Sequence, residues 1–250
     1  MEVRSVKVAL LAGRGRLPAI LREAIAFHHC LELDTWPHSL GAVQALAEAL
    51  IATGCDSFCL AGSVDRGRFK DLDAGGLWVA RRAGAGAGDG QLLDALVAYL
   101  GEQGLAVIGA SELLPSLRTP MGLLSGEGVL DAATGLDRAR NLGLRDLGQA
   151  VIRCGHDLWL EEDAAGTDAL IRRAGHNQAS PKTLFKAAKP QQDLRVDMPA
   201  WGRDTVQLAI ECGLSGLVFE AERTLALDLD ASLRLARQAG LSVVGVGGMP

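Results

Sequence analysis

Short apolar runs alternate with segments of helical spacing along most of the chain. "VKVALLAG" (6–13) is almost continuously apolar and ends in glycine, the pattern of a parallel strand covered on both faces. Pro18 stands where a helix would begin, and "AILREAIAFHH" after it carries helical spacing. A second helix is expected over "LGAVQALAEALIATG" (40–54), closing on Gly54, and a strand over "SFCLAGSV" (57–64). "LLDALVAYLGEQG" (92–104) predicts a third helix, and "LAVIGA" the strand that follows. This succession points to a doubly wound parallel sheet.

"TPMGLLSGEGVLD" (119–131) is rich in glycine and turn residues, and a domain boundary is placed there. The expected architecture is α/β, with a Rossmann-like parallel-sheet domain over residues 1–125 and a second α/β domain over 126–250. The second half begins again with a helix in "AATGLDRARNLG" and a strand in "QAVIRC". After "HDLWLEED" come helices in "TDALIRRAG", "TVQLAIECG" and "DASLRLARQAG", with extended segments in "SGLVFEA" and "LSVVGVGG". "RRAGAGAGDG" (81–90) reads as a flexible loop. No internal repeat is present. In "KPQQDLRVDMPAWG" (189–202), read as a strand, Asp193, Arg195 and Asp197 share one face and Leu194, Val196 and Met198 the other.

The 250 residues are 48% apolar and 22% charged with a net charge of −5, so the chain carries no basic footprint for nucleic acid or for an anionic membrane. Five cysteines without a CxxC pair read as buried apolar residues in a reducing cytosol. The N-terminus runs straight into a strand pattern rather than a signal peptide, and no apolar run approaches the roughly 18 residues of a membrane span, so a cytoplasmic location is expected. His28 and His29, adjacent on the expected helix, cannot both face one metal. No GxSxG elbow and no P-loop occurs, and the four Trp residues read as apolar filling.

Four stretches carry candidate chemistry. In "AGRGRLP" (12–18), Gly13 and Gly15 permit a tight turn, and the helix starting near Pro18 would aim its free amides at an anion; Asp34 lies where a ribose-binding acid would. The third glycine of the dinucleotide fingerprint is Pro18 here, and a plain strand-to-helix turn explains the stretch as well. In "AGSVDRGRF" (61–69), after a strand, Ser63 and Arg66 suit a phosphate or a base, or simply an exposed polar loop. In "AGTDALIRR" (165–173), Thr167 or Asp168 suits a helix N-cap, which is also a phosphate ligand. In 189–202, a strand carboxylate suits Mg²⁺, Arg195 and Lys189 a diphosphate, and Gln192 a hydrogen bond to it, against an edge-strand charge ladder.

Taken in order, "AGRGRLP", "GSVDRGRF", "GDGQLLDAL", "AGTDALIRR", "KPQQDLRVDMPAWG" and "GLSGLVFEA" resemble the LpxI family, the UDP-2,3-diacylglucosamine pyrophosphatases of lipid A biosynthesis. The resemblance covers nearly the whole chain. Arg14 replaces a glycine of the family pattern, Ser63 an Asn or Lys, Gly90 a frequent Asp, and Trp201 a β-branched residue.

The resemblance implies two domains with the ligand cleft between them. It also implies a divalent cation, usually Mg²⁺, and cleavage of the diphosphate to UMP and 2,3-diacylglucosamine 1-phosphate by water attacking the sugar-side phosphorus. By resemblance Asp197 is the aspartate on which catalysis depends. Asp193 becomes a second metal ligand or the orienting partner of Arg195, and Gln192 joins them in the catalytic set. Gly166, Thr167, Asp168, Lys189 and Arg195 would position the phosphates. Gly13, Gly15, Leu17, Pro18, Gly62, Ser63 and Arg66 would face the nucleotide. The expected partner is a lipid-nucleotide substrate, met by transient contact with the cytosolic face of the inner membrane, and a homodimer is the common state for soluble enzymes. A non-catalytic nucleotide-sugar binding protein and an NAD(P)-dependent oxidoreductase are the rival readings.

Overall fold

The structure, a computed structural model, describes residues 7–247 apart from the Arg66 side chain. Val6 and Gly248, at the ends of two expected strands, lie outside the described residues. The chain divides into two units. One comprises Met1–Pro115 together with Asp193–Asp197, the other Ser116–Gln192 with Met198–Pro250.

In the first unit the apolar strand β1 (Val8–Ala12) is buried from Ala9 onward. It is followed by α1 (Arg16–Ala24), β2 (His29–Glu32), α2 (Val43–Ala52) and β3 (Ser57–Ala61). Next come α3 (Ala74–Ala83), α4 (Asp89–Glu102), the two-residue β4 (Ala106–Val107) and the single turn α5 (Ala110–Leu113). The sheet runs β2–β1–β3–β4, every pairing parallel, as the alternation of apolar runs and helices requires. Helix α2 buries Val43, Leu46, Ala47 and Leu50, the i, i+3, i+4, i+7 stripe visible in its sequence, against Leu11, Phe58, Val79 and Leu100.

Several local expectations change. Pro18 is the third residue of α1, not its first, and the helix stops at Ala24, because the chain turns at His28 into β2, where His29 pairs with Ala9. The glycine-rich stretch 81–90 is half helix: α3 continues to Ala83 and α4 opens at Asp89. The strand read in "LAVIGA" is reduced to Ala106–Val107.

The second unit contains β5 (Gly122–Ser125), α6 (Ala132–Leu144), β6 (Ala150–Cys154), β7 (Leu158–Glu161), α7 (Gly166–Gly175) and β8 (Lys182–Lys186). It continues with β9 (Ala200–Trp201), α8 (Arg203–Glu211), β10 (Gly216–Glu220), β11 (Leu225–Ala226), α9 (Leu229–Gln238) and β12 (Ser242–Val246). Its six-stranded sheet is ordered β5–β12–β10–β8–β6–β7, with parallel β12, β10 and β8 in the centre and antiparallel strands outside. The turn-rich stretch 119–131 thus holds an edge strand, β5. Alternate residues of the central strands feed two cores. Ile152, Leu184, Leu217 and Phe219 meet α7, α8 and α9, while Val151, Phe185 and Val218 meet Leu136 and Ala139 of α6.

Trp201 is not merely apolar filling. Its ring stacks on Phe219 at 4.3 Å, and its Nε1 donates to Thr119 Oγ1 at 2.7 Å. Thr119 Oγ1 lies 2.7 Å from Thr224 Oγ1, which donates to the Glu220 carbonyl at 2.8 Å. Every member of this buried polar chain has a partner, as burial demands.

Candidate functional site

Strand order reverses at β1 in the first unit, and in open parallel sheets ligands bind beyond the carboxyl ends of the strands at such a point. The loops after β1 and β3 emerge there, and they bring together two of the sequence motifs. Arg14 and Ser63 exchange backbone hydrogen bonds, N to O at 2.7 Å and 3.0 Å, and Gly13 N donates to the Ala61 carbonyl at 2.8 Å. The glycines serve that crossing: a Cβ at Gly13 would overlap the Ser63 carbonyl, and one at Gly62 the Arg14 carbonyl. The latter would also lie 2.9 Å from the buried Pro18 ring. Gly15 is different. It sits at the N-cap of α1 with φ +100°, beside half-buried Leu17, and none of the described residues comes near a would-be Cβ. Arg14 Nε pairs with Asp34 at 2.6 Å, so the acid twenty residues on is held by the residue that departs from the family pattern. The Arg66 side chain lies outside the described residues.

Residues 189–202 do not form a strand before Ala200. Pro190 and Pro199 lack the amides a strand would use, and Asp193 folds the chain back on itself. Its Oδ1 accepts the Arg195 amide at 3.0 Å, and its carbonyl accepts Val196 N and Asp197 N at 3.1 and 3.0 Å. The alternating charged face expected from the sequence is therefore replaced by a turn, in which Asp193 and Arg195 meet directly. Arg195 Nε and Nη2 reach both carboxylate oxygens of Asp193, at 3.0, 3.1 and 2.7 Å. The Arg195 guanidinium holds the Asp193 carboxyl below the usual range, with burial opposing and the Arg195 amide assisting.

The turn groups with the first unit. A Cβ at Gly109 would lie 3.0 Å from Arg195 Cα, and Glu112 accepts the Gly109 amide at 2.6 Å. Asp94 of α4 belongs to the same neighbourhood: burial, then the negative charges of Asp193 and Asp197, raise its pKa, and Arg195 lowers it. The sequence reading passed over Asp94 and Glu112. Nothing local distinguishes Asp94 from any polar residue on an amphipathic helix.

The remaining site residues lie in the second unit. Lys189 Nζ pairs with Asp146 at 2.5 Å, and its amide donates to Gln192 Oε1 at 3.1 Å. Gln192 Nε2 is buried with no partner among the described residues. Thr167 does not cap its helix, and neither does Asp168 in the first turn: the N-cap of α7 is Ala165, after which Gly166 takes φ +83°. The Thr167 hydroxyl instead donates to Glu162 Oε1 at 2.6 Å. Glu162 Oε2 accepts Gln149 N at 2.6 Å, and the Gln149 carbonyl accepts Ala187 N at 3.0 Å. A chain of three bonds thus ties the "AGTD" stretch to the stem of the 189–202 stretch. Sequence patterns do not mark Glu162, because its burial at 7% exposure directly after β7 is set by the fold.

Both oxygens of Asp193 are committed to Arg195, and the described residues hold no cluster of three or more His, Cys, Asp or Glu side chains arranged for a metal ion. That donor set would not suit a structural metal cage. It does suit Mg²⁺, which keeps several waters and takes one or two carboxylates with substrate phosphate oxygens, and Asp197 is the carboxylate of the turn not engaged by Arg195.

A sequence model described as LpxI N-terminal domain matches residues 7–117, and one described as LpxI C-terminal domain matches residues 124–244. A relative from Caulobacter vibrioides, named UDP-2,3-diacylglucosamine pyrophosphatase LpxI, is 33% identical over 277 aligned positions, covering 96% of this chain and 97% of its own. With both halves matched in order and a relative aligned almost end to end, the chain belongs to the LpxI family.

Proposed function

We propose that this protein hydrolyses the diphosphate of UDP-2,3-diacylglucosamine, releasing UMP and 2,3-diacylglucosamine 1-phosphate for lipid A synthesis. The observation that carries this reading is the end-to-end similarity to a pyrophosphatase of that name, together with an acidic turn at Asp193–Asp197. Water attacks the sugar-side phosphorus, its proton leaves to solvent or to a carboxylate, and the bond to the bridging oxygen breaks with UMP as leaving group. Such a reaction needs neutralisation of phosphoryl charge and an oriented water more than covalent help from the protein.

Asp197 orients the attacking water and would hold Mg²⁺. The bidentate pair favours Asp193 as the residue that aims Arg195 at the phosphates, rather than as a second metal ligand. Gln192 offers a buried donor that lacks a partner among the described residues, suited to a phosphoryl oxygen. Mg²⁺, when bound, supplies positive charge to the diphosphate oxygens. The loops after β1 and β3 take the nucleotide, with the Gly15 backbone open to the ligand. We further propose action as a homodimer at the cytosolic face of the inner membrane. No helix among the described residues is long and apolar enough to cross a membrane, so contact would be peripheral.

The test is UMP release from UDP-2,3-diacylglucosamine by purified protein, with Mg²⁺ and with EDTA, for the wild type and Asp197→Ala. The expected result is turnover with Mg²⁺, loss with EDTA, and a fall of at least about 10³-fold in the variant, on the scale of other catalytic-group removals. Near-normal turnover by Asp197→Ala would remove its assigned role, and activity in EDTA would remove the metal.

A further inference from the structure

We infer that Glu220, at the carboxyl end of β10, is a positioning residue that fixes the chain leading into the Asp193–Asp197 turn. This rests on the hydrolase reading above. Glu220 is 3% exposed, in a place where a carboxylate is tolerated only with partners. Its Oε1 accepts Arg140 Nε at 3.2 Å and Nη2 at 3.1 Å, and Arg223 Nε lies 3.4 Å away. Its Oε2 accepts the backbone amide of Ala188 at 2.9 Å. Arg140 is itself aimed by Asp137, whose Oδ1 accepts Nη1 at 2.7 Å.

Ala188 is the second residue after β8, and the chain continues from it through Lys189 and Gln192 to Asp193. Two bonds anchor the backbone amides at the start of this stem, the Gln149 carbonyl on Ala187 N and Glu220 on Ala188 N, and further along the side chains of Lys189 and Gln191 bond Asp146 and the Gly143 carbonyl. The first is an ordinary backbone bond that extends the β6–β8 ladder. The second requires a buried charge. Buried ion pairs of this kind add little net stability compared with apolar residues of the same shape. What Glu220 supplies is a fixed acceptor: Arg140 sets its orientation, and that orientation sets where the Ala188 amide sits. Lys189 and Gln192, one and four residues on, inherit that position through the backbone.

The isosteric change Glu220→Gln separates this role from bulk packing. A glutamine cannot accept from both Arg140 and Ala188, because one of its two terminal atoms is a donor. The experiment combines amide hydrogen exchange over residues 187–197 with steady-state turnover of UDP-2,3-diacylglucosamine in Mg²⁺. Exchange at Ala188 should accelerate at least tenfold in Glu220→Gln, with faster exchange spreading to Gln192. kcat should fall at least tenfold while KM changes less than threefold. Arg140→Gln should act in the same direction, and the double variant should be no slower than Glu220→Gln within about twofold, because the two residues act as a unit. A folded Glu220→Gln protein with native exchange, or with native kcat, overturns the inference. So does a rise in KM alone. Should Glu220→Gln not fold, Glu220→Asp keeps the charge but falls one methylene short of Ala188; partial loss of kcat is expected, and full kcat overturns the inference. A wild type that releases no UMP would overturn the hydrolase reading instead, and the exchange measurements would then decide the positioning role alone.

Discussion

Gly13 and Gly15 occupy one short turn and do different things. Gly13 is needed because the Ser63 carbonyl fills the place of its Cβ; Gly15 is needed for its φ of +100° and leaves open space. Gly13→Ala should therefore destabilise the protein by about 1–3 kcal/mol through overpacking of the two crossed loops. Thermal unfolding checks this, and an unchanged midpoint would show that the loops give way. The sequence marked both glycines as a ligand cradle, and it could not tell them apart, since the carbonyl that crowds Gly13 comes from a loop fifty residues later. Asp193 shows the same limit. Its spacing with Arg195 and Asp197 reads as one face of a strand, but an Asp that bonds the amide two residues on makes a turn instead.

Helices α2 and α3 share one capping residue. Asp73 is the N-cap of α3, accepting Gly76 N at 2.8 Å, and it also accepts Gln44 N at 3.1 Å and Ala45 N at 3.0 Å in the first turn of α2. Burial alone would raise its pKa, but these amides outweigh burial and lower it. A group whose pKa is depressed on folding contributes stability that is present above its unfolded pKa. That contribution is lost as pH falls from about 3.9 through the lower folded value. Asp73→Ala should cost about 1–2 kcal/mol at neutral pH. Near pH 2 the difference from wild type should shrink, which urea unfolding at the two pH values would measure; an equal difference at both would refute the charge-based part. No sequence pattern predicts this cap for α2, because the residue before that helix is Ala42 and the acceptor arrives from another element.

For the whole molecule, the feature with most consequence is that five residues late in the chain, Asp193–Asp197, belong with the unit built from its first 115 residues. The seat at Gly109 is close: a side chain there would press on Arg195 Cα at 3.0 Å. Gly109→Val should displace the turn and lower kcat at least tenfold while leaving the rest of the fold intact. Circular dichroism together with turnover would test it, and unchanged turnover would mean that the turn does not depend on this seat. Asp94 and Glu112 act on the turn from the same unit.

The order of motifs along the chain was enough to place this protein in the LpxI family, and the alternation of apolar runs and helical stripes was enough for two α/β units. Both are properties of local sequence: periodicity follows from which face of an element is buried, and motif order is linear. The parallel sheet and the helices α2, α4, α6, α8 and α9 were readable on that basis. The tertiary structure alone decided that Asp193 pairs with Arg195 in a turn, that Thr167 binds Glu162 rather than capping its helix, and that Glu220 accepts the Ala188 amide. These depend on which carbonyl, amide or carboxylate arrives from a distant segment, and a hydrogen bond is decided at 3 Å, a distance that no one-dimensional pattern specifies.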